Sequence, residues 1–350
     1  MESSTLNHIA STLVFATVGS LSRSFLYAFN HTQVYGLDPF LDLLDARACS
    51  ADRRRGLLTV SNHVSVLDDP LIWGVLPYRY MVHPDNMRWS LASHDICFRN
   101  RVFNVFFSLG NTLPTHRIAH SPHGGLFQPT MTQVIRLLSD PHRKVPNSKC
   151  EISDPFSSNH LTYSTTGFDS FPAPSAYPSR RFSWVHVFPE GMTYQHPESF
   201  MRYFKWGIAR LILEAEPCPD VLPMWIDGPQ HVMSNTRTFP RAVPRPGNDI
   251  SIRFGNLIDR ETVLEPFRRR WLELKARQCK GLNELGVLED TTLRYGKEAE
   301  QLRIDVAVAI RNEVLKVRRA AGLPEEGPGR DLAERYRGKN NEDDGDVTQP

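Results

Sequence analysis

Three short apolar runs, GLLTVSN (56–62), SWVHVFPEG (183–191) and VLPMWI (221–226), recur along the chain with helix-type patterns between them. A strand that is apolar on both faces belongs inside a sheet covered by helices on both sides. The alternation therefore commits the chain to an α/β core, a sheet flanked by helices. NTLPTHR (111–117) and DISIRFGNLI (249–258) read as further strands. The stretches 95–109, 130–140 and 199–215 read as helices. So does 298–319, whose apolar stripe includes Leu302, Val306, Ile310, Val314 and Val317. Residues 31–55 read as a mixed connector ending in the basic run ADRRR, taken as a solvated loop. Strand order is not fixed by this pattern.

At 350 residues the chain can bury a substantial core. Its 41 basic and 39 acidic side chains leave a net charge of +2, so no strong basic field points to nucleic acid. The five cysteines, Cys49, Cys97, Cys150, Cys218 and Cys279, show no metal-ligand spacing and are expected to be structural. From Ser3 to Ser22 there is no charged side chain, and Arg23 closes the stretch. A secretory signal would carry a basic start, which MESSTLNH lacks, and a transit peptide would carry several arginines. Serine and threonine dilute the segment too much for a secure bilayer span. Residues 1–30 are therefore expected to lie in, or dip into, one leaflet, with Ile9, Leu13, Ala16 and Ser20 on one face. The segment 141–180, rich in Ser, Pro, Asn and His, is expected to be an inserted mobile loop. Residues 321–350 are expected to be a charged, disordered tail, which leaves 31–320 as the catalytic domain.

The chemistry concentrates in NHVSVLDDP (62–70). His63 stands at the end of a strand, five residues before Asp68. Asp69-Pro70 reads as an acidic cap followed by proline at the first helical position. Among thirteen histidines one such His–Asp spacing is expected by accident, and a histidine at a strand end is more often structural. The turn between strand and helix is what lets both side chains meet. Such a pair suits acyl transfer: the imidazole takes a proton from an attacking hydroxyl, and the carboxylate orients it and stabilises its charged form. No Gly-x-Ser-x-Gly elbow points to a serine acyl-enzyme. FPEG (188–191) makes a sharp turn that presents Glu190 at the sheet edge. The stretch from Trp206 to Ile226 is apolar apart from Arg210, Glu214, Glu216 and Asp220, and reads as a segment lying along a membrane interface.

NHVSVLDDP, the Gly110-to-Arg117 segment, FPEG and VLPMW resemble, in that order, the four blocks of the glycerolipid acyltransferases. DDPLIWG, HDICF, MRYFKWGIARLILEA and LRYGKEAEQLR are similar to the mitochondrial phospholipid–lysophospholipid transacylases within that family. The resemblance covers roughly residues 5–320. It implies an acyltransferase sheet flanked by helices, monotopic on a membrane. The implied reaction moves a fatty acyl chain from a phospholipid such as phosphatidylcholine to monolysocardiolipin, giving cardiolipin, without coenzyme A or metal.

By matching positions His63 becomes the base and Asp68 its orienting carboxylate. Asn62, Asp69, Arg117, Glu190 and Gly191 become the residues that shape the acceptor site. Many relatives follow the Glu-Gly with Thr-Arg-Ser, whose arginine grips phosphate. Here Met192-Thr193 follows, so that grip passes to Arg117 or Lys205. The resemblance also implies mitochondrial outer and inner membranes facing the intermembrane space, and association with membrane complexes there. Two rivals stay open. One is an acyl-coenzyme A-dependent lysophospholipid acyltransferase, for which ADRRR (51–55) would offer a basic patch. The other is a lipid-binding scaffold without catalysis.

Overall fold

The computed structural model describes residues 5–142, 161–278 and 284–333. Nine strands are present among them: β1 (His31–Tyr35), β2 (Leu57–Val60), β3 (Ser90–Ser93), β4 (Thr112–Thr115), β5 (Thr162–Tyr163), β6 (Phe171–Pro172), β7 (Trp184–Val187), β8 (Asp220–Asp227) and β9 (Asp249–Phe254). The main sheet has the order β1-β9-β8-β2-β7. β8, β2 and β7 run parallel, β9 runs antiparallel to β8, and β1 runs parallel to β9. Trp89 bridges Val185 and leads into the parallel pair β3–β4, which carries the sheet onward beyond β7. The expected α/β architecture is what forms.

Side chains alternate across the central strands, as the two-residue period of a strand requires. Leu58, Val60, Val185, Val187, Val221 and Trp225 enter one apolar cluster, covered by the helices Pro129–Leu137, Gly207–Glu214, Glu265–Gln278 and Lys297–Ala320. Leu57, Trp184, Leu222, Met224 and Ile226 enter the other, under the helices Thr5–Ala28, Leu37–Ala46 and Asp68–Trp73.

Several expectations are corrected. The connector 31–55 contains β1 and the helix Leu37–Ala46. In ADRRR, Arg53 is buried and Arg55 donates to the Cys218 carbonyl, so two of the three arginines are built into the fold rather than solvated. The helix expected over 199–215 spans only Gly207–Glu214. Residues before it are pinned to the FPEG turn, because Arg202 N–H donates to Glu190 and Lys205 N–H to the Pro189 carbonyl. Trp206–Ile226 does not lie on an interface. Trp206, Ile208, Leu211, Ile212 and Trp225 are core residues; Arg210 donates to both oxygens of buried Glu214 at 2.6 Å, and Glu216 pairs with Arg268 nearer the surface.

The described half of the 141–180 segment is structured too. β5 and β6 form a hairpin, Phe171 packs edge-on against Phe98, and the Ser175 hydroxyl donates to Gln133. Its middle, 143–160, lies outside the described residues, as does 334–350 of the expected tail. Residues 321–333 are docked, with Glu326 paired to Arg311 and Ala333 buried against Tyr203.

The Thr5–Ala28 helix turns small side chains inward. Ser11, Phe15, Gly19, Ser22 and Leu26 are buried, and a Cβ on Gly19 would stand 2.3 Å from Met81 Sδ. Leu6, Ile9, Leu13 and Leu21 point outward, beside Val102, Val105 and Phe106 of the Arg101–Leu109 helix. Ser11 ties the two helices by donating to the Leu109 carbonyl. The face expected from Ile9 and Leu13 is therefore the outer one. Ser11, Gly19 and Ser22 permit the close approach beside the buried Phe15 and Leu26, while Leu6, Ile9, Leu13 and Leu21 are left to the surroundings.

Candidate active site

β2 delivers His63 to the C-terminal edge of the parallel strands, where the chain turns through 61–67 into the Asp68–Trp73 helix. The helix begins at Asp68, one residue before Asp69, so Asp69 does not cap it. Asp68 is fully buried. Its Oδ2 accepts from Val64 N–H at 2.7 Å, from Ser65 N–H at 2.8 Å and from the His63 ring at 2.9 Å through Nδ1. An oxygen that already accepts two backbone donors is an acceptor toward the ring as well. Nδ1 therefore carries the proton, and Nε2 keeps its lone pair. Nε2 has no partner among the described residues, and the side chain is 21 % exposed. Asp68 Oδ1 is buried with no donor among the described residues, so the ring beside it is the group that would balance the carboxylate on taking up a proton.

Glu190 locks the loop from the other side. Its Oε1 accepts from His63 N–H at 2.7 Å, and its Oε2 accepts from Arg202 N–H at 2.9 Å. The Tyr194 N–H donates to the His63 carbonyl at 2.7 Å, so both backbone groups of His63 are held. Burial pushes the Glu190 carboxyl up to about 8, against the pull of those two N–H donors and of Arg311 and Arg202. A carboxyl raised on folding stabilises most below its unfolded value of about 4.5, and that contribution is lost as pH rises toward 8. Glu190→Gln has no such titration. Thermal midpoints at several pH values should show wild type losing stability relative to Glu190→Gln between about pH 5 and 8. Parallel curves would contradict the assignment.

The turn itself needs Gly191, at φ +69°, where a Cβ would meet Lys205 Cδ and Cε at 2.9 Å. The Lys205 stem thus lies over the glycine. His63, Asp68, Glu190, Gly191 and Lys205 form one connected group.

The other expected site residues sit differently. Asn62 is buried and clamps β8, donating to the Ile226 carbonyl at 2.8 Å and accepting from its N–H at 2.9 Å. It fixes the strand beneath His63 and offers no group outward. Asp69 points away to Arg88 and to Trp73 Nε1. Burial raises its carboxyl, but Arg88 and His186 pull it net below the usual range. It is a brace between the helix and β3, not an acceptor-site group. Arg117 stands at the end of β4, two strands past β7, where its guanidinium is paired with Asp95.

Two neighbours carried no signal in the sequence. Phe188 stacks on the His63 ring at 4.3 Å and 23°. Behind it His186, whose burial holds it down to about 3, is neutral and bonded to Thr59 at 2.9 Å. Phe188 stands inside the quoted FPEG, but an aromatic before a turn reads as core from sequence alone.

Residues 31–227 match the acyltransferase family. The chain is 35 % identical over 331 residues to the protein named Tafazzin of Saccharomyces cerevisiae, covering 92 % of this chain and 80 % of that one. It is 27 % identical over 263 residues to Tafazzin of Drosophila melanogaster, covering 75 % of this chain and 55 % of that one. It is also 28 % identical over 256 residues to an N-acylphosphatidylethanolamine synthase of Arabidopsis thaliana, covering 73 % and 72 %.

Proposed function

The chain belongs to the tafazzin family of acyltransferases, and on that premise we propose that it moves a fatty acyl chain from a phospholipid to a lysophospholipid without coenzyme A. The observation that carries the mechanism is the His63–Asp68 contact, with Nδ1 tied to a buried carboxylate and Nε2 unpartnered among the described residues. The acceptor's free hydroxyl donates to Nε2. As its oxygen attacks the donor ester carbonyl, the proton passes to the ring and Asp68 stabilises the imidazolium. The imidazolium then returns the proton to the departing glycerol oxygen. One ester is made and one is broken, so the exchange is near thermoneutral and needs no thioester. In this scheme Glu190 and Gly191 hold the loop, and Lys205 faces the acceptor's phosphate. Asn62 and Asp69 position His63 and its helix, and Arg117 bounds the far end of the site.

We assign residues 31–320 as the acyltransferase domain and 1–30 as a membrane-associating segment. The outward Leu6, Ile9, Leu13 and Leu21, continued by Val102 and Val105, support monotopic seating in one leaflet. Leu13→Ser with Leu21→Ser should weaken sedimentation with phospholipid vesicles by roughly tenfold or more, since each leucine loses about 1.5–3 kcal/mol of burial. Both side chains are exposed, so the melting midpoint should hold. Unchanged vesicle binding would contradict the seating. Mitochondrial outer and inner membranes facing the intermembrane space are the proposed location. Phosphatidylcholine is the proposed donor, monolysocardiolipin the acceptor and cardiolipin the product.

The test offers acyl-labelled phosphatidylcholine in liposomes with either monolysocardiolipin or phosphatidylethanolamine as acceptor, with and without acyl-coenzyme A. Label in cardiolipin without coenzyme A supports the proposal. Label only in the amide of phosphatidylethanolamine would replace the hydroxyl acceptor with an amine. Synthesis only from acyl-coenzyme A would establish the rival enzyme.

A further inference from the structure

At the opposite end of the strands from His63, where β7 begins at Trp184, there is a cavity of about 210 Å³ with a basic wall. Arg47 and Arg53 both line it. Arg47 donates to the carbonyls of Arg55 at 2.9 Å and Phe182 at 2.7 Å. Arg53, buried, donates to the Arg47 carbonyl at 2.9 Å and to the Arg181 carbonyl and Asn86 side chain. Neither guanidinium has a carboxylate within ion-pair distance among the described residues. The acids nearby face other arginines: Asp220, whose charge reaches Arg47, meets Arg260 at 3.8 Å. Asp45 pairs with Arg79 at 2.7 Å and accepts from Tyr80 at 2.7 Å, and Asp85 faces Arg180 at 3.5 Å. His83 adds a further nitrogen donor at the exposed rim.

Arg53 is buried and Arg47 partly so, and guanidiniums withdrawn from water without a counter-charge are costly unless an anion joins them. Burial first, and then the neighbouring charge, push Arg47 down to about 10, and burial likewise lowers Arg53. Carbonyl oxygens satisfy their hydrogen bonds without balancing their charge. A carboxylate would balance one of the two, whereas a tetrahedral dianion balances both and matches the forked donors.

We infer that the cavity between Arg47, Arg53 and His83 binds a phosphate group, as a second anion site separate from the catalytic edge. The group is a phosphate monoester, carried by a soluble molecule or by a lipid head. Tyr78 and Val82, exposed beside the lining residues Arg79 and His83, give a lipid-borne phosphate an apolar approach.

Inorganic phosphate is the first probe, applied to the full chain in a thermal melt against chloride at matched ionic strength. Wild type should gain roughly 1–4 °C in phosphate beyond chloride once the site is near saturation. Arg47→Gln removes a charge, and His83→Glu adds one at the rim without removing a hydrogen bond within the fold. Both should lose the gain, while Gln301→Glu, the same charge change on the Lys297–Ala320 helix, should keep it. An equal response to phosphate and chloride in wild type would overturn the inference, as would a gain that survives in both cavity variants. Vesicles of phosphatidylcholine with and without phosphatidic acid then separate the sources. Preferential binding lost in His83→Glu but kept in Gln301→Glu assigns a lipid phosphate. Equal vesicle binding by both variants, beside the phosphate gain, assigns a soluble one.

Discussion

His63→Ala is expected to lower acyl transfer by about 100- to 10,000-fold, the range that a positioned general base supplies. The ring is the only group in the site with a nitrogen facing outward and unpartnered among the described residues. The acceptor's proton has no comparable base within the connected group: Asp68 and Glu190 are buried, and each already accepts backbone N–H groups. Backbone contacts of residue 63 to Glu190 and Tyr194 do not use the side chain, so the loop should keep its shape. The change in melting midpoint should stay small beside the loss of rate: truncation removes the stack on Phe188 and the ring's bond to Asp68, but Asp68 Oδ2 keeps the Val64 and Ser65 N–H donors. Vesicle sedimentation should match wild type. A variant that melts and binds normally yet fails to turn over locates the defect in chemistry. A loss of less than a few-fold would make His63 a structural residue.

Asp68→Asn is expected to cost roughly 1,000- to 10,000-fold in kcat, the scale seen when an orienting carboxylate is neutralised. The substituted side chain has two choices. If its oxygen keeps the Val64 and Ser65 donors, the amide nitrogen occupies the buried Oδ1 position, which has no partner among the described residues, and the charge that balances the imidazolium is gone. If the amide turns its nitrogen toward the ring, Nδ1 must accept and the proton moves to Nε2, which then has no lone pair for the acceptor. Either way the base is disabled while the substrate surfaces stand. KM should therefore move far less than kcat. Because both residues act as one unit, the double variant should be no slower than His63→Ala alone. Additive losses would separate Asp68 from the histidine's role.

The central strands were legible because a strand buried on both faces writes a mostly apolar run, as in LLTV and WVHV, whose polar members Thr59 and His186 bond each other. His63 and Asp68 were legible because a strand end, a turn and a helix start bring two residues five apart together. What stayed hidden depends on tertiary partners. HTQVY forms an edge strand only because β9 supplies its pairing. Asn62 is a polar residue beside a histidine and reads as a ligand contact until β8 is placed across from it. Asp69 follows Asp68 in sequence, but one step round a helix sends its side chain to Arg88. The 206–226 stretch has the apolar content of an interfacial segment and becomes core because Arg210 and Glu214 neutralise each other inside. The first helix was legible as an apolar face through Ile9 and Leu13, which the fold leaves outward, but Ser11, Gly19 and Ser22 show their packing role only once Met81 and Leu109 are placed against them.

The most direct measurement of the central claim is the initial rate of label transfer from phosphatidylcholine to monolysocardiolipin in coenzyme A-free liposomes. Wild type and His63→Ala would be compared at equal membrane-bound protein. The account predicts cardiolipin labelling by wild type and a rate at least a hundredfold lower for the variant. Equal labelling by both proteins would contradict it and remove His63 from the chemistry.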